Sequence, residues 1–151
     1  MMKKNLTIFL FALILFSCGE YQKVLKSSDV NYKYEKALEY YEKSDFARAM
    51  PIFRELSTML RATKRSEDVN YYLAYCHYKS GDFLMASYLF KNYIQTYPNG
   101  PHVEECMYIG AYCVYLESPS HTLDDTYTKK AISEIQQFIN RYPNKSKSIE
   151  C

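Results

Sequence analysis

The sequence predicts an all-α protein of about three helical hairpins, and three observations lead to this fold class. A period of 37 residues relates several apolar positions, most clearly Ala37, Ala74 and Ala111. Within each unit the apolar residues recur at helical spacing, which is the main sequence signal for amphipathic helices. The 151 residues include 4 Gly, 17 Tyr and no Trp, a composition that disfavours turn-dense all-β folds and glycine-rich phosphate loops.

Each unit contains a hinge that separates a first helix, A, from a second helix, B. The hinges read Lys-Ser-Asp-Phe at 43–46 and Ser-Gly-Asp-Phe at 80–83. Gly81 suits the left-handed conformation that closes a helix, and Asp82 suits the N-cap of the next helix. The pattern therefore predicts a helical hairpin in each unit.

Prolines predict where the B helices end. Because proline cannot continue the helical hydrogen-bond ladder, the second and third B helices are expected to stop near Pro98 and Pro143. Pro51 lies inside the first B helix, near its N-terminal end, where proline costs least.

The third unit is longer than the other two. Ala131 follows its equivalent, Ala86, by 45 residues rather than 37, so eight residues are inserted between the two helices of this unit. The insertion lies in 117–125 and contains proline, serines and an aspartate pair. We interpret it as an exposed extension of the turn.

Several of these features resemble the tetratricopeptide repeat: alanines at the helix crossings, the Gly-Asp-Phe hinge, the Ala-x-x-x-Phe pair of the B helix and the terminal proline. The match is good in the second unit and partial in the others, since the third unit has no Gly-Asp-Phe hinge. The resemblance implies a right-handed superhelix of stacked hairpins with a concave inner surface.

Tyrosines dominate one face of the three A helices. In register, nine positions form three columns, which we call the tyrosine lattice: Tyr34, Tyr71 and Tyr108; Leu38, Tyr75 and Tyr112; Tyr41, Tyr78 and Tyr115. Along each helix the positions are spaced i, i+4 and i+7, which places them on one face. By the resemblance this face lines the concave groove, where tyrosine offers contact area and a hydroxyl to a guest peptide. The alternative for any single tyrosine is packing between helices, since amphipathic stripes are usually core.

The start of the chain predicts a lipoprotein signal. Lys3 and Lys4 precede an apolar run from Leu6 to Phe16, which is too short to span a bilayer as a permanent helix. The run leads into Leu-Phe-Ser-Cys, which is similar to the bacterial lipobox and predicts acylation of Cys18. The alternatives are an ordinary secretory signal cleaved elsewhere, or a buried apolar helix.

The chain is accordingly divided into a signal peptide at 1–17, a lipid anchor and tether at 18–30, and a tetratricopeptide-repeat domain at 31–151. Several acyl chains give stable membrane anchoring. No aspartate, the inner-membrane retention signal of some bacteria, directly follows Cys18. We therefore expect an outer-membrane lipoprotein that faces the periplasm.

Composition and residue spacing disfavour nucleic-acid binding and metal chemistry. With 19 Lys+Arg against 17 Asp+Glu, the formal charge is +2, which excludes a strongly basic nucleic-acid footprint. His77, His102 and His121 fall in different elements, which disfavours a zinc site. The adjacent acidic pairs at 104–105 and 124–125 are interpreted as solvated surface, because neighbouring residues point apart on a helix.

The cysteines of the repeats are predicted to be free thiols. Cys106 and Cys113 are separated by two helical turns, about 10.5 Å, which is too far for a disulfide. Cys76 and Cys113 occupy equivalent places in adjacent A helices, and we interpret both as buried thiols. With no nucleophile–base order, phosphate loop or metal ladder in the sequence, we expect a non-enzymatic protein without a cofactor.

The lipobox, the short tether, the hairpins, the long third turn and the helix ending Phe138-Ile139-x-x-Tyr142-Pro143-Asn144 together resemble the BamD family. This family comprises tetratricopeptide lipoproteins of the outer-membrane β-barrel assembly machinery. The most specific part of the similarity runs from Glu104 to Asn144. The resemblance implies a non-enzymatic role, with BamA, other assembly-complex subunits and unfolded outer-membrane proteins as partners.

The same resemblance implies that this chain is an N-terminal portion. Family members carry about five repeats, whereas this sequence stops where a fourth A helix should begin. In the family the N-terminal repeats are associated with client recognition and the C-terminal repeats with docking to partners. The chain is thus expected to retain the client groove and to lack much of the docking half.

Two other functions agree with the anchor and the repeats. A different periplasmic tetratricopeptide lipoprotein, an adaptor in nutrient uptake or envelope integrity, would bind glycans or peptidoglycan rather than barrel peptides. A structural spacer would bind no selective ligand.

Overall fold

A computed structural model of the chain describes residues 19–117 and 126–143. These residues form α-helices and no β-strand, which confirms the all-α prediction. The helices are α1 (19–26), α2 (Val30–Glu42), α3 (Phe46–Met59), α4 (Arg65–Lys79), α5 (Phe83–Thr96), α6 (Val103–Leu116) and α7 (Thr126–Arg141). None of the helices in this part of the chain is long and apolar enough to cross a membrane. The predicted signal peptide, Cys18 and most of the predicted insertion lie outside the described residues.

Six of the helices form three hairpins, α2 with α3, α4 with α5 and α6 with α7, and each helix packs on the next one along the chain. The alanines that define the repeat lie at these contacts and are almost completely buried: Ala37, Ala74 and Ala111 in the A helices, and Ala49, Ala86 and Ala131 in the B helices. Because the distance between packed helices depends on the side chains at the contact, alanine allows them to approach closely. The predicted array of three hairpins is confirmed.

The hinges have the geometry that their sequences predict. The side chains of Asp45 and Asp82 each accept a hydrogen bond from the backbone N–H three residues later, at 3.2 and 3.3 Å. Each carboxylate thus satisfies an N–H that has no partner within its helix. Gly81 has a φ of 79° and the equivalent Ser44 has a φ of 58°, so both hinges close the A helix through a left-handed residue.

The prolines mark the helix ends as expected. Helix α5 ends at Thr96 and α7 at Arg141, each two residues before a proline. Pro51 is accommodated inside the first half of α3.

The buried His77 ties the second hinge to the first hairpin. Its Nε2 lies 3.3 Å from Arg54 Nη2 and its Nδ1 lies 2.9 Å from Asp82 Oδ2. An arginine can only donate hydrogen bonds, so Nε2 accepts from Arg54 and the proton on Nδ1 is donated to Asp82. The aspartate that caps α5 is therefore also held from α3 through the imidazole.

The first part of the predicted tether is a helix that packs on the repeats. In α1 the side chain of Val24 is fully buried and the ring of Tyr21 meets that of Tyr40 edge-on at 5.8 Å. The buried Lys33 donates to the Leu25 carbonyl at 3.0 Å and pairs with Glu55 of α3 at 2.5 Å. The folded domain thus begins before the predicted boundary at residue 31, because α1 completes the apolar surface of the first hairpin.

Cys76, Cys106 and Cys113 are free and buried, as predicted. Burial raises the pKa of each thiol to about 12. Since the thiolate is the reactive form, these three cysteines are chemically inert in the folded protein and act as small apolar side chains.

The hinges lead to a prediction about stability. Replacing Ser44 with glycine should raise the free energy of unfolding by about 0.5–1 kcal/mol, because a residue with a Cβ is strained at positive φ. Chemical denaturation followed by circular dichroism measures the change. The reciprocal control, Gly81→Ala, should destabilise by a similar amount, since an added Cβ there meets nothing within 4 Å and only the backbone strain remains. A Ser44→Gly variant no more stable than the parent chain would contradict this account of the hinge.

Candidate functional site

The tyrosine lattice forms connected rows of rings on helices α4 and α6. Tyr108 and Tyr112 stack at a centroid distance of 6.3 Å, and Tyr112 and Tyr115 at 5.9 Å. On α4 the rings of Tyr75 and Tyr78 meet edge-on at 6.0 Å. The i, i+4, i+7 spacing thus produces a continuous aromatic row on α6 and a second row on α4.

The positions of the tyrosine lattice range from buried to largely exposed. Tyr75 is only 7% exposed and its ring lies edge-on against Phe90 at 5.3 Å, so this tyrosine packs between helices. Tyr115 is 56% exposed. The remaining positions are half-buried: Tyr34, Leu38, Tyr41, Tyr71, Tyr78, Tyr108 and Tyr112. Packing between helices therefore describes Tyr75, whereas Tyr115 offers most of its ring to a ligand.

Glu105 of α6 links the third hairpin to two lattice tyrosines on α4. Its carboxylate accepts hydrogen bonds from the hydroxyls of Tyr71, at 2.9 Å, and Tyr75. Desolvation, followed by the hydrogen bonds to Glu105, raises the pKa of both tyrosines, so both hydroxyls remain protonated and donate. Glu105 is exposed, as the sequence analysis expected, but its interpretation as merely solvated surface is wrong, because the partners of its carboxylate lie on a different helix.

Tyr71 is fixed further by rings from the following loop and helix. The imidazole of His102 stacks on it with a centroid distance of 3.9 Å and an angle of 22°. Tyr93 lies 6.3 Å away and donates its hydroxyl to Glu67 at 2.7 Å. These contacts hold Tyr71 in one orientation, and His102 takes part in aromatic packing.

The first repeat contributes a less regular part of the lattice. The guanidinium of Arg65 lies 5.3 Å from the ring centre of Tyr34, a cation–π contact. Tyr41 meets Tyr72 at 5.0 Å, and desolvation raises the pKa of Tyr41 to about 12. Leu38 packs against the core of the first hairpin.

Tyr78 connects the rows of the second and third repeats. Its pKa is raised first by desolvation and then by the neighbouring Cys113, Tyr112 and Tyr108. These three residues belong to α6, so Tyr78 lies on the side of α4 that faces α6.

Comparison with known proteins identifies the family. The family model for YfiO, an outer membrane lipoprotein, matches residues 26–148. The chain belongs to the YfiO family. The match spans the three hairpins and the aromatic surface that they carry.

Curated relatives of this YfiO-family chain carry the name BamD, which confirms the resemblance inferred from the motifs. The putative outer membrane protein assembly factor BamD of Aquifex aeolicus is 26% identical over 82% of this chain and 41% of its own length. The outer membrane protein assembly factors BamD of Buchnera aphidicola and Caulobacter vibrioides are 25% and 22% identical, over 95% and 80% of this chain. The chain spans 40% to 64% of the length of these three relatives.

The sequence analysis did not predict that two acidic residues of this YfiO-family chain lie beside the tyrosines. Asp68 and Glu105 are equivalent in the 37-residue period, and each lies near tyrosines of the preceding repeat. After burial, Asp68 is the next cause of the raised pKa of Tyr34, as Glu105 is for Tyr71. The period itself could have revealed this acidic column, because it relates polar positions as well as apolar ones.

Tyr72 is a second residue that the lattice pattern missed. It lies off the lattice register, stacks on Phe53 of α3 at 5.5 Å and contacts Tyr41 of α2. Its role is to join α4 to the first hairpin. Among the described residues, no group of three His, Cys, Asp or Glu side chains is placed to hold a metal ion.

Removing the carboxylate of Glu105 should destabilise the third hairpin. We expect Glu105→Ala to lower the free energy of unfolding by about 1–2 kcal/mol, because the hydroxyls of Tyr71 and Tyr75 lose a charged acceptor. Chemical denaturation measures the effect of Glu105→Ala twice, once in the parent chain and once in a chain that already carries Tyr75→Phe. The loss should shrink when Tyr75 is phenylalanine, and Tyr115→Phe, an exposed control, should stay within about 0.5 kcal/mol of the parent. An equal loss in both backgrounds would show that the bond to Tyr75 is not stabilising.

Proposed function

We propose that this YfiO-family chain is a non-enzymatic lipoprotein component of the outer-membrane β-barrel assembly machinery, which binds unfolded client proteins and the BamA subunit. Three relatives bear the name of BamD assembly factors, and the family is one of outer membrane lipoproteins. We also propose that Cys18 is the acylated residue and that the repeats face the periplasm. Repeat arrays commonly bind extended partners along their surface, which agrees with this role.

We propose the tyrosine lattice as the client-binding surface. The row Tyr108, Tyr112 and Tyr115 is the observation that carries this assignment, because it leads from half-buried rings to one that is mostly exposed. An unfolded barrel strand presents aromatic and apolar side chains and unpaired backbone N–H groups. Tyrosine rings match the side chains, and the carboxylate of Asp68 lies near Tyr34, where it is able to accept hydrogen bonds from a strand.

The surface is rigid enough to act as a preformed site. Tyr71 is held by His102 and Glu105, and Tyr75 is packed in the core. A ligand that lies along the lattice therefore does not have to order these side chains. Avoiding that entropic cost favours affinity.

Truncating the exposed end of the row should weaken client binding. We expect Tyr112→Ala combined with Tyr115→Ala to reduce affinity for a fluorescent peptide, taken from the aromatic-rich terminal strand of a barrel protein, by about ten-fold. Each aromatic pair contributes about 0.5–1.5 kcal/mol beyond burial, and about 1.4 kcal/mol corresponds to ten-fold. Fluorescence anisotropy measures the affinity, and circular dichroism checks that the variant stays helical.

The chain offers a matched control for this experiment. Tyr88 on α5 is 58% exposed, close to the exposure of Tyr115, but lies on a B helix outside the lattice. Tyr88→Ala should leave peptide binding unchanged. The assignment of the client site would be contradicted if Tyr88→Ala lowered peptide affinity as much as the Tyr112→Ala, Tyr115→Ala variant, or if the latter variant kept the affinity of the parent chain.

Partner proteins test the assembly role directly. The tagged, lipidated chain is purified from detergent-solubilised envelopes, and the proteins that come with it are identified by mass spectrometry. We expect client proteins with the parent chain and fewer with the Tyr112→Ala, Tyr115→Ala variant, and recovery of BamA would show that docking persists with three repeats. A Met59→Ala chain, changed at an exposed apolar residue outside the lattice, serves as the matched bait. Recovery of glycan-uptake or cell-wall proteins without BamA, also with a longer chain that has further repeats, would replace the assembly role with that of an adaptor.

A further inference from the structure

The two described hinges of the hairpins lie at one end of the array, which we call the hinge end. Since the helices alternate in direction, the hinges at 43–45 and 80–82, the end of α6 and the start of α7 meet at this end. The connections at 60–64 and 97–102 lie at the opposite end. The exposed side chains at the two ends can therefore be compared.

The start of α1 also lies at the hinge end. Helix α1 runs antiparallel to α2: Glu20 pairs with Lys36 at 2.6 Å and Tyr21 contacts Tyr40 near the end of α2, whereas the last turn of α1 is bound by Lys33. The chain thus enters the domain beside the first hinge.

Exposed apolar side chains are concentrated at the same end. Leu84 and Met85 lie in the first turn of α5 and are 60% and 42% exposed, with Tyr88 one turn further. Tyr115 lies in the last turn of α6 and Tyr127 in the first turn of α7, and both rings are exposed. Of the remaining exposed large apolar residues in the described part of the chain, Ile132 lies within the first half of α7 and Met59 lies at the opposite end.

Charged side chains also lie at the hinge end: Lys43 and Lys79 are exposed, and the side chain of Asp82 is half-exposed. Contact with a bilayer at this end is therefore limited to the interfacial layer, where charged side chains stay among the lipid headgroups. The carboxylates of Asp45 and Asp82 both bond to backbone N–H groups at the helix starts, and Asp82 also bonds to His77. The hinge end combines leucine and methionine with tyrosine. Such a composition is typical of surfaces at a membrane interface, where the amphipathic ring of tyrosine is favoured.

We propose that the hinge end is a membrane-facing surface that inserts Leu84, Met85 and Tyr88 into the interfacial layer of a phospholipid leaflet. The occupant is the lipid surface, because α1 begins at this same end with Gly19, which directly follows in sequence the Cys18 that we propose to be acylated. The inference rests on that proposed anchor and goes beyond the client-binding role. Insertion of apolar side chains by about 5–10 Å is typical of interfacial contacts.

Single tryptophans can test this orientation, since the chain has no native Trp. The full lipidated chain carrying Leu84→Trp or Tyr88→Trp is reconstituted into phosphatidylethanolamine–phosphatidylglycerol vesicles with brominated acyl chains. The matched control is Met59→Trp, which replaces an exposed apolar residue at the opposite end. We expect roughly two-fold quenching and a blue shift for the two hinge-end variants, consistent with burial to about 5–10 Å, and no change for Met59→Trp.

Two further measurements distinguish a failure of this inference from a failure of the lipid anchor on which it rests. Mass spectrometry of the same samples shows whether Cys18 is acylated, and a Cys18→Ser chain shows whether the hinge end binds vesicles without the anchor. In the Cys18→Ser chain, Leu84→Glu with Tyr88→Glu should reduce vesicle partitioning by about ten-fold, whereas Met59→Glu should not. Equal quenching at both ends, quenching at Met59→Trp alone, or none at Leu84→Trp would overturn the proposal. Cross-links from position 84 to another subunit, without lipid quenching, would assign this end to a protein instead.

Discussion

Close contact between helices through alanine and glycine is the constraint on which the rest of the structure depends. The equivalent residues Ala37, Ala74 and Ala111 are buried where the A helices pack. Next to Ala111, a Cβ added to Gly110 would come within 3.2 Å of the Phe90 side chain, so a larger residue at that point would require α5 and α6 to move apart slightly. These contacts fix the spacing and rotation of successive A helices, and they thereby determine which side chains form the shared face.

The tyrosine lattice has two roles because the helices are packed so closely. At its centre, Tyr75 is core and Tyr71 is held by Glu105 and His102, so tyrosine is used there for its hydroxyl as well as its ring. In the last turn of α6, Tyr115 stacks on Tyr112 and is otherwise largely exposed. One periodic pattern therefore supplies both the buried tyrosines that stabilise the array and the exposed ring in the client site that we propose.

The sequence predicts what is local or periodic, and it fails where a partner is distant. Capping by Asp82, the left-handed Gly81 and the helix ends before proline follow from neighbouring residues, and the core alanines follow from the period. Helix α1 has no equivalent in the repeats and therefore resembled a tether. The role of Glu105 depends on tyrosines of another helix, a contact that spacing within one helix does not show.

The hinge end and the lattice meet at the ends of the A helices. The column Tyr41, Tyr78 and Tyr115 is the one nearest the hinges, whereas Tyr34, Tyr71 and Tyr108 lie two turns further from them. If the hinge end faces the bilayer, the column closest to the lipid ends in its most exposed ring, and the tightly bonded tyrosines lie deeper in the periplasm. In that orientation Tyr115, in the last turn of α6, is the lattice ring nearest the lipid surface, so a client strand bound along the row would have its Tyr115 end closest to the bilayer.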